Sequence, residues 1–343
     1  MLPDMDPQTL HHSLLTFDSH IDIPWPDGPG AFEDSPRRHV DIPKMERGSL
    51  SAGCLVAYVP QGPRTDEGRS AARDRALAML ETIRRIGEDA ASHGKSVRVV
   101  DTADAIEAAH RDKAIAILPA VENGYAMGTD LTVLDRFRAL GARYLTLTHN
   151  GHNDIADSAR PIPALGDDGP EHHGLSALGR DVIQRLNRLG MLVDVSHASK
   201  ETMLQAASLS TTPVVATHSC VRALCDHPRN LDDEQLDVLK STGGLIQITA
   251  MDGFLRKGGT LETVGIADFV DHIDYVVRRI GIAHVGISSD FDGGGEITGW
   301  RNAADSPNLT AELVKRGYDE AAIQAFWGGN FLRLLRIAEQ RAG

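Results

Sequence analysis

The stretch GLSALGRDVIQRLNRLGMLVDVSHAS, residues 174–199, contains a helix pattern followed directly by a strand pattern. Residues 175–189 are amphipathic, and Ser176 is placed to cap the start of the helix. The next run, MLVDVSH at 191–197, is short and mostly apolar, which is typical of a parallel strand covered on both faces. Short apolar runs alternate with longer amphipathic ones in this way from one end of the chain to the other.

This alternation predicts eight strands with helices between them. The strands are 13–18, 53–59, 114–120, 143–149, 191–197, 213–218, 244–250 and 284–290. The helices are 71–93, 131–140, 175–189, 232–240, 267–280 and 330–339, with 102–110 as a further candidate. Eight alternating strands and helices predict a (β/α)₈ barrel. A doubly wound open sheet is the alternative, and the absence of a glycine-rich dinucleotide fingerprint after the first strand disfavours it.

The loops and the composition are consistent with one barrel. Two stretches rich in Gly, Pro and Asp, 24–36 and 161–174, are predicted loops and not linkers, because the strand–helix rhythm resumes after each. Residues 1–343 are therefore predicted to form a single domain. The 35 Lys and Arg against 48 Asp and Glu give a net charge of −13, which disfavours nucleic acid and anionic membranes as partners.

Targeting signals are not evident in the sequence. The first fifteen residues, MLPDMDPQTLHHSLL, contain no Lys or Arg, whereas a secretory signal needs a basic segment followed by an apolar one. No apolar run approaches the roughly 18 residues of a membrane-spanning helix. The three Cys are too few for a disulfide framework. The expected location is therefore the cytoplasm.

Ionisable residues recur at the ends of the predicted strands. They follow or close the first, third, fourth, fifth, sixth and eighth strands, and they are His20, Asp22, Glu122, His149, His197, His218 and Asp290. The carboxyl ends of the strands form the active-site face of a (β/α)₈ barrel. Six of the eight strands therefore bring an ionisable group to one mouth, which predicts a metal site there. Several other histidines, His11 and His12 among them, are predicted to be solvated.

The types of residue suggest how metal would be held. His20 and Asp22 are two residues apart on a strand, so their side chains point to the same side and can bind one ion. His197 and His218 can hold a second ion, and the carboxylate of Glu122 can bridge the two. Imidazole and carboxylate favour Zn²⁺, with Mn²⁺, Co²⁺ and Fe²⁺ as alternatives. Two ions about 3.5–4 Å apart would acidify a shared water and polarise a substrate carbonyl.

These segments resemble the membrane (renal) dipeptidase family of zinc metallopeptidases, on the amidohydrolase-like barrel. The resemblance rests on FDSHIDIP, VEN, GARYLTLTHN, GLSALGRDVIQRLNRLGMLVDVSHAS, PVVATHS, HPRNLDDE and SSDFDG, which follow in order from residue 17 to residue 293. One departure is Asn123, where the family usually has Gly after the bridging Glu. The signal, disulfides and lipid anchor of secreted animal members are not evident either, so the chain looks like a bacterial-type soluble member.

The resemblance implies roles for individual residues. It implies that His20 and Asp22 bind one zinc, and that His197 and His218 bind the other. It also implies that Glu122 bridges the two ions. It places His149 at the substrate carbonyl and its developing oxyanion, Arg229 at the substrate carboxylate, and Asp290 as the proton carrier. Without the resemblance, nothing in the sequence indicates a functional role for Arg229. The implied reaction is attack of a metal-bridging hydroxide on a small dipeptide, L,D-dipeptides included, and the family suggests a homodimer.

Two other functions remain open from the residues. A different metal hydrolase on the same barrel would act on an N-acyl amino acid, a lactone or a cyclic amide with the same ligands and another pocket. A non-catalytic metal-binding protein is the second alternative. Asp290, His149 and Arg229 argue against it, because metal storage needs none of them.

Overall fold

Nine strands form one sheet in the computed structural model, which describes residues 6–23 and 30–343. Eight of them pair in the order β1-β2-β4-β5-β6-β7-β8-β9, and every pairing is parallel. The strands are β1 (Phe17–Asp22), β2 (Ala52–Tyr58), β3 (Val97–Val99), β4 (Ile115–Glu122), β5 (Tyr144–Thr146), β6 (Leu192–Asp194), β7 (Val215–Ser219), β8 (Leu245–Thr249) and β9 (Val285–Ser288). A parallel bridge between Ile21 and Phe291 joins the chain after β9 to β1, so the barrel is nearly closed.

Helices lie between the strands. They are α1 (Pro7–Ser13), α2 (Ile42–Arg47), α3 (Asp66–Asp89), α4 (Ala103–Arg111), α5 (Thr132–Ala139), α6 (Ala177–Arg188), α7 (Lys200–Leu209), α8 (Asp233–Thr242), α9 (Asp252–Leu255), α10 (Ile266–Ile280), α11 (Ser306–Lys315), α12 (Glu320–Gln324) and α13 (Asn330–Gln340). Short 3₁₀ segments are Ala90–His93, Gly124–Met127, Pro163–Leu165, Ile282–His284 and Ala303–Asp305, and Ala325–Gly329 is a π-helical turn. The predicted (β/α)₈ barrel is confirmed, and the doubly wound sheet is wrong.

Capping residues explain where several helices begin. The hydroxyl of Ser176 accepts a hydrogen bond from the backbone N–H of Gly179 (3.0 Å), which confirms its predicted place before α6. Asp232 and Gln235 form a reciprocal capping box at the start of α8. α7 was not predicted, because its buried face contains small alanines, Ala206 and Ala207, and its helical periodicity is weak.

The strands differ from the predicted ones mainly at their ends. β1 begins at Phe17 and not at residue 13, because Ser13 ends α1. His20 and Asp22 therefore lie within β1 and not after it, and Glu122 is the last residue of β4. β3 was not predicted; it pairs only with the first part of β4. Of the predicted loop 24–36, residues 24–29 lie outside the described part of the chain.

Two clusters of buried apolar side chains form the core. The larger one joins the strands to the surrounding helices. The smaller one joins strand residues such as Phe17 and Tyr144 to α4 and α13, and the rings of Phe17 and Phe331 stack at 4.6 Å. Close packing of this kind holds the strand ends, and therefore the side chains they present, in fixed positions. Among the helices within residues 6–23 and 30–343, none has both the length and the apolar character needed to cross a bilayer.

Candidate metal centre

All the predicted site residues come to the same end of the barrel. His20 and Asp22 lie in β1, Glu122 ends β4, and His218 lies in β7. The others follow strands: His149 after β5, His197 after β6, Arg229 after β7 and Asp290 after β9. With the exception of His20, which is fully buried beneath, they line one cavity of about 250 Å³.

Glu122 lies between two sets of ligand-type atoms. Its Oε2 is 3.5 Å from Nε2 of His20, and that nitrogen is 3.6 Å from Oδ1 of Asp22. Its Oε1 is 3.2 Å from Nε2 of His197 and 3.4 Å from Nε2 of His218. Each carboxylate oxygen of Glu122 therefore faces a different pair of residues.

Unpaired buried atoms test whether these residues fit a metal. Nε2 of His20 and Oδ1 of Asp22 are buried and have no hydrogen-bond partner in the part of the chain that the structure describes. A buried polar atom without a partner costs about 1–3 kcal/mol, so such atoms need an explanation. Both atoms are good ligands for zinc and similar ions, and they lie with Glu122 in a set whose ligand atoms are all within 4.8 Å of one another. The residues fit a metal.

The other ring nitrogen of each histidine is held by a neighbour. The contacts are His20 Nδ1 to Tyr144 Oη (2.9 Å), His218 Nδ1 to Thr217 Oγ1 (3.0 Å) and His197 Nδ1 to Asn150 Oδ1 (3.3 Å). Contacts of this kind orient the ring and direct Nε2 toward the metal. Each Nε2 therefore points toward Glu122.

Asp194 supports this arrangement from below. Its carboxylate accepts hydrogen bonds from the hydroxyls of Thr217 (2.7 Å) and Thr146 (2.6 Å) and from two backbone N–H groups. Because Thr217 donates to Asp194, its oxygen is free to accept from His218. Asp194 also lies near His20 and His218 in a possible ligand set, but its oxygens already have partners. Sequence reasoning missed Asp194, although it stands within the quoted stretch LVDVSH.

Burial controls the protonation of the histidines. It lowers the pKa of His197 well below the usual range, and the positive charge of Arg229 adds to the effect. Burial also lowers the pKa of His218 to about 3, with His20 contributing. Burial would lower the pKa of His20 as well, but Glu122 and Asp22 outweigh it and raise this pKa. Neutral His197 and His218 are in the form that binds metal.

Asp290 is held close to Asp22. Burial raises the pKa of Asp290 to about 8, and the charges of Asp22 and Glu122 contribute in the same direction. Its backbone has a φ of +60°, an uncommon conformation that non-glycine residues adopt at functional sites. Both carboxylates pass over Gly293, where an added Cβ would lie 2.6 Å from Oδ1 of Asp290 and 2.9 Å from Oδ2 of Asp22. The absence of a side chain at Gly293 therefore leaves room for the carboxylates of Asp22 and Asp290.

Arg229 and His149 line the same cavity. Arg229 is buried, its Nη2 donates to the backbone carbonyl of His218 (3.1 Å), and its Cζ lies 5.4 Å from the centre of the Phe254 ring. Nε of Arg229 has no hydrogen-bond partner among the described residues. Burial lowers the pKa of Arg229 to about 10, so the guanidinium keeps its charge at neutral pH. The ring of His149 lies 4.2 Å from that of His197, and burial lowers its pKa.

Several residues of the cavity wall were not predicted as site residues. They are Tyr58, Asn150, Arg160, Met251, Phe254 and Gly293. Each ends or follows a strand, so the strand-end pattern that predicted the candidate ligands includes them too. A metal site draws attention only to the ionisable groups of metal-ligand type among these residues, and Tyr58 and Phe254 are not of that type.

Comparison with known proteins identifies the family of the chain. The model of the membrane dipeptidase family, peptidase family M19, matches residues 6–343. Dipeptidase tcpJ of Claviceps purpurea is 33% identical over 309 residues, 89% of this chain and 70% of that protein. The crystal structure of the probable dipeptidase PvdM from Pseudomonas aeruginosa has a TM-score of 0.91 and 32% identity, with 98% of each chain covered. A metallo peptidase from Rhodobacter sphaeroides, solved with a phosphinate mimic of L-Ala-D-Ala, has a TM-score of 0.84 and 26% identity over 95% of this chain and 99% of that one.

These matches define the class of the protein and then its family. The chain is a hydrolase of the metallopeptidase class, a class that implies bound metal ions. It belongs to the membrane dipeptidase family, M19, and is a metallo-dipeptidase. The resemblance predicted from the sequence is confirmed.

Proposed function

We propose that the protein hydrolyses small dipeptides, L,D-dipeptides among them, with two divalent metal ions. The observation that carries this proposal is the position of Glu122, whose two oxygens face His20 on one side and His197 with His218 on the other. A single ion would need only one of these sets. Zinc is the favoured metal, because imidazole and carboxylate are its usual ligands.

In this proposal, His20 and Asp22 hold one ion, His197 and His218 hold the other, and Glu122 contacts both. Bound ions of this kind lower the pKa of a water between them and polarise a carbonyl group. The protein itself keeps the ligand histidines neutral by burial, and their neighbours hold the rings in position.

Asp290 is proposed to move the proton. It lies beside Asp22 at the cavity wall, and its raised pKa suits a group that takes a proton from water and returns it to the leaving amine near neutral pH. His149 is proposed to donate an N–H to the carbonyl oxygen as negative charge develops there. Its ring lies 4.2 Å from that of His197, which supports a position beside the reacting group.

Arg229 is proposed to bind the C-terminal carboxylate of the substrate. A guanidinium presents two parallel N–H groups that match a carboxylate, and burial strengthens the interaction. The cavity of about 250 Å³ is small, and a clamped carboxylate fixes how far the substrate extends. Both features favour a dipeptide over a longer chain. The solved relative that carries a phosphinate mimic of L-Ala-D-Ala supports an L,D-dipeptide as one substrate.

Three further features stay predictions. They are the single domain over residues 1–343, the homodimer and the cytoplasmic location. For the single domain, the support is that α13, near the C-terminus, packs against β6, β8 and β9.

The test is a substrate panel on protein of known metal content. Dipeptides of the L,L and L,D series should be hydrolysed, and N-acyl amino acids should not. Asp290→Asn should leave the metal content nearly intact and lower kcat strongly, because it removes the proton carrier and no ligand. Turnover of N-acyl amino acids alone, or an Asp290→Asn variant within a few-fold of wild-type activity, would reject the proposal.

A further inference from the structure

Arg160 is a second cation on the wall of the cavity. It lies after β5, its side chain is exposed, and its guanidinium has no ion pair or hydrogen bond to the residues that the structure describes. Its backbone is fixed, since its carbonyl accepts from the N–H of Gly151 (2.7 Å) and its N–H donates to the hydroxyl of Ser158 (3.1 Å). An unpaired charge is therefore presented from a rigid loop.

Neighbouring arginines differ from Arg160 in this respect. Arg64 pairs with Glu171 at 2.6 Å, and Arg69 pairs with Asp154 at 2.8 Å. The charges of Arg64 and Arg69 are neutralised within the protein, whereas the guanidinium of Arg160 is available to bind an anionic ligand.

Arg160 and Arg229 line the same cavity, and Arg229 also lines a neighbouring pocket with Ser158 and Ala159, the two residues before Arg160. Burial and then the charge of Arg160 lower the pKa of His227, with Arg229 contributing less. The ring of His227 lies 4.4 Å from that of Phe254, and Phe254 is also the ring beneath Arg229. Arg160 and Arg229 therefore line one cavity together with Phe254, and Asp290 and Glu122 on the same wall partly offset the charge of Arg229.

A substrate with a single carboxylate would neutralise only part of the positive charge of Arg160 and Arg229. A buried guanidinium such as Arg229 needs one carboxylate for its paired N–H groups. Arg160 then adds a like charge nearby, and a second negative group on the ligand would relieve the repulsion. Because Arg229 holds the C-terminal carboxylate in the proposed function, the second group belongs to the C-terminal residue.

We infer that Arg160 binds the side-chain carboxylate of the substrate's C-terminal residue, so that the protein prefers dipeptides that end in Asp or Glu. This inference rests on the proposed dipeptidase function and names a substrate class for it. Arg160 acts in specificity and not in the chemical step, since no hydrogen bond or ion pair joins its guanidinium to any of the proposed metal ligands, all of which the structure describes.

The experiment compares two substrates that differ only in charge. Rates are measured for Ala-Glu and Ala-Gln, each with an L or a D C-terminal residue, on wild type, Arg160→Gln and Arg160→Lys. We expect wild type to favour Ala-Glu in kcat/KM by about fivefold, in line with a partly exposed ion pair. Arg160→Gln should lower this ratio to about one, and Arg160→Lys should keep part of it. The preference should also weaken as salt is raised, because the pair is open to solvent.

Arg98→Gln is the matched control. Arg98 is an exposed arginine in β3, beside the first part of β4 and thus away from the cavity, with one partner, Asp112. This variant should retain the wild-type ratio.

Three results would overturn the inference. An equal loss for both substrates in Arg160→Gln would mean that Arg160 shares the C-terminal carboxylate with Arg229. Unchanged kcat/KM for both substrates would mean that it contacts neither carboxylate. If wild type hydrolysed no dipeptide at all, the proposed function would fail and the inference with it, whereas the first two results would leave the dipeptidase activity in place.

Discussion

Gly293→Ala tests how closely the two acids are positioned. The added Cβ would lie 2.6 Å from Oδ1 of Asp290 and 2.9 Å from Oδ2 of Asp22, and Cβ contacts under 3.0 Å essentially never occur. The Asp290 oxygen must therefore move by at least about 0.4 Å, a shift near the ~0.5 Å within which catalytic groups must be held. A displacement of 1 Å can cost about 100-fold in rate, so we expect kcat to fall by about tenfold.

The assay measures kcat for a dipeptide together with the metal content and the free energy of unfolding. Metal content should fall slightly, because Asp22 moves less than Asp290, and the fold should persist. Gly253→Ala is the control, since a Cβ at this position in α9 would meet nothing within 4 Å, and it should behave as wild type. If Gly293→Ala kept its kcat within twofold of wild type, the proposed role of the Asp290 carboxylate would be refuted.

Three other changes test separate parts of the structure. Thr217→Val removes the hydroxyl between Asp194 and His218, and metal affinity measured against a competing chelator should fall about 10- to 100-fold; unchanged affinity would show that this contact does not position the ligand. Arg229→Ala should mainly raise KM for dipeptides, because a carboxylate clamp binds ground and transition states alike, and an unchanged KM would exclude that role. His11, whose pKa burial lowers to about 4, stays neutral in the folded protein while the unfolded chain takes up a proton near pH 6.5. Stability should therefore fall as the pH drops below 6.5, by about 2 kcal/mol at pH 5 from this residue, and urea unfolding of His11→Gln should lack that part of the pH dependence. An equal pH dependence in the variant would contradict this account of His11.

Much of the geometry of the candidate metal centre was predictable because a parallel barrel places its strand ends together. His20 and Asp22 are on one strand, and their spacing alone indicated a shared face. His197 follows β6 and His218 lies in β7, and only the barrel topology brings them to Glu122. The sequence could not show which oxygen of Glu122 faces which histidine, because this depends on side-chain rotamers and on neighbours such as Thr217.

Other features depend on contacts between distant parts of the chain. His11 was predicted to be solvated but is buried. Its two ring nitrogens form hydrogen bonds with the hydroxyl of Thr310 and the backbone carbonyl of Gly48, and the ring of Trp327 packs against it. Such contacts leave no local pattern in the sequence. Arg160 is similar, since only the folded loop shows that it lines the cavity without a partner.

Loop residues were the least predictable part of the site. Met251 and Phe254 reach the cavity from the segment around α9, which has no strand or helix periodicity of its own. The bounds of β1 were wrong for a related reason, because Leu14 and Leu15 are buried in the connection after α1 and resemble the start of a strand. Burial in loops and burial in strands produce the same apolar run.

The measurement that most directly tests the two-metal account is a titration of metal-free protein with Zn²⁺, followed by dipeptide hydrolysis and metal analysis at each step. We expect activity to reach its maximum when two ions are bound per chain, and we expect Glu122→Gln to weaken the binding of both ions. Full activity with one bound ion, or with none, would contradict it.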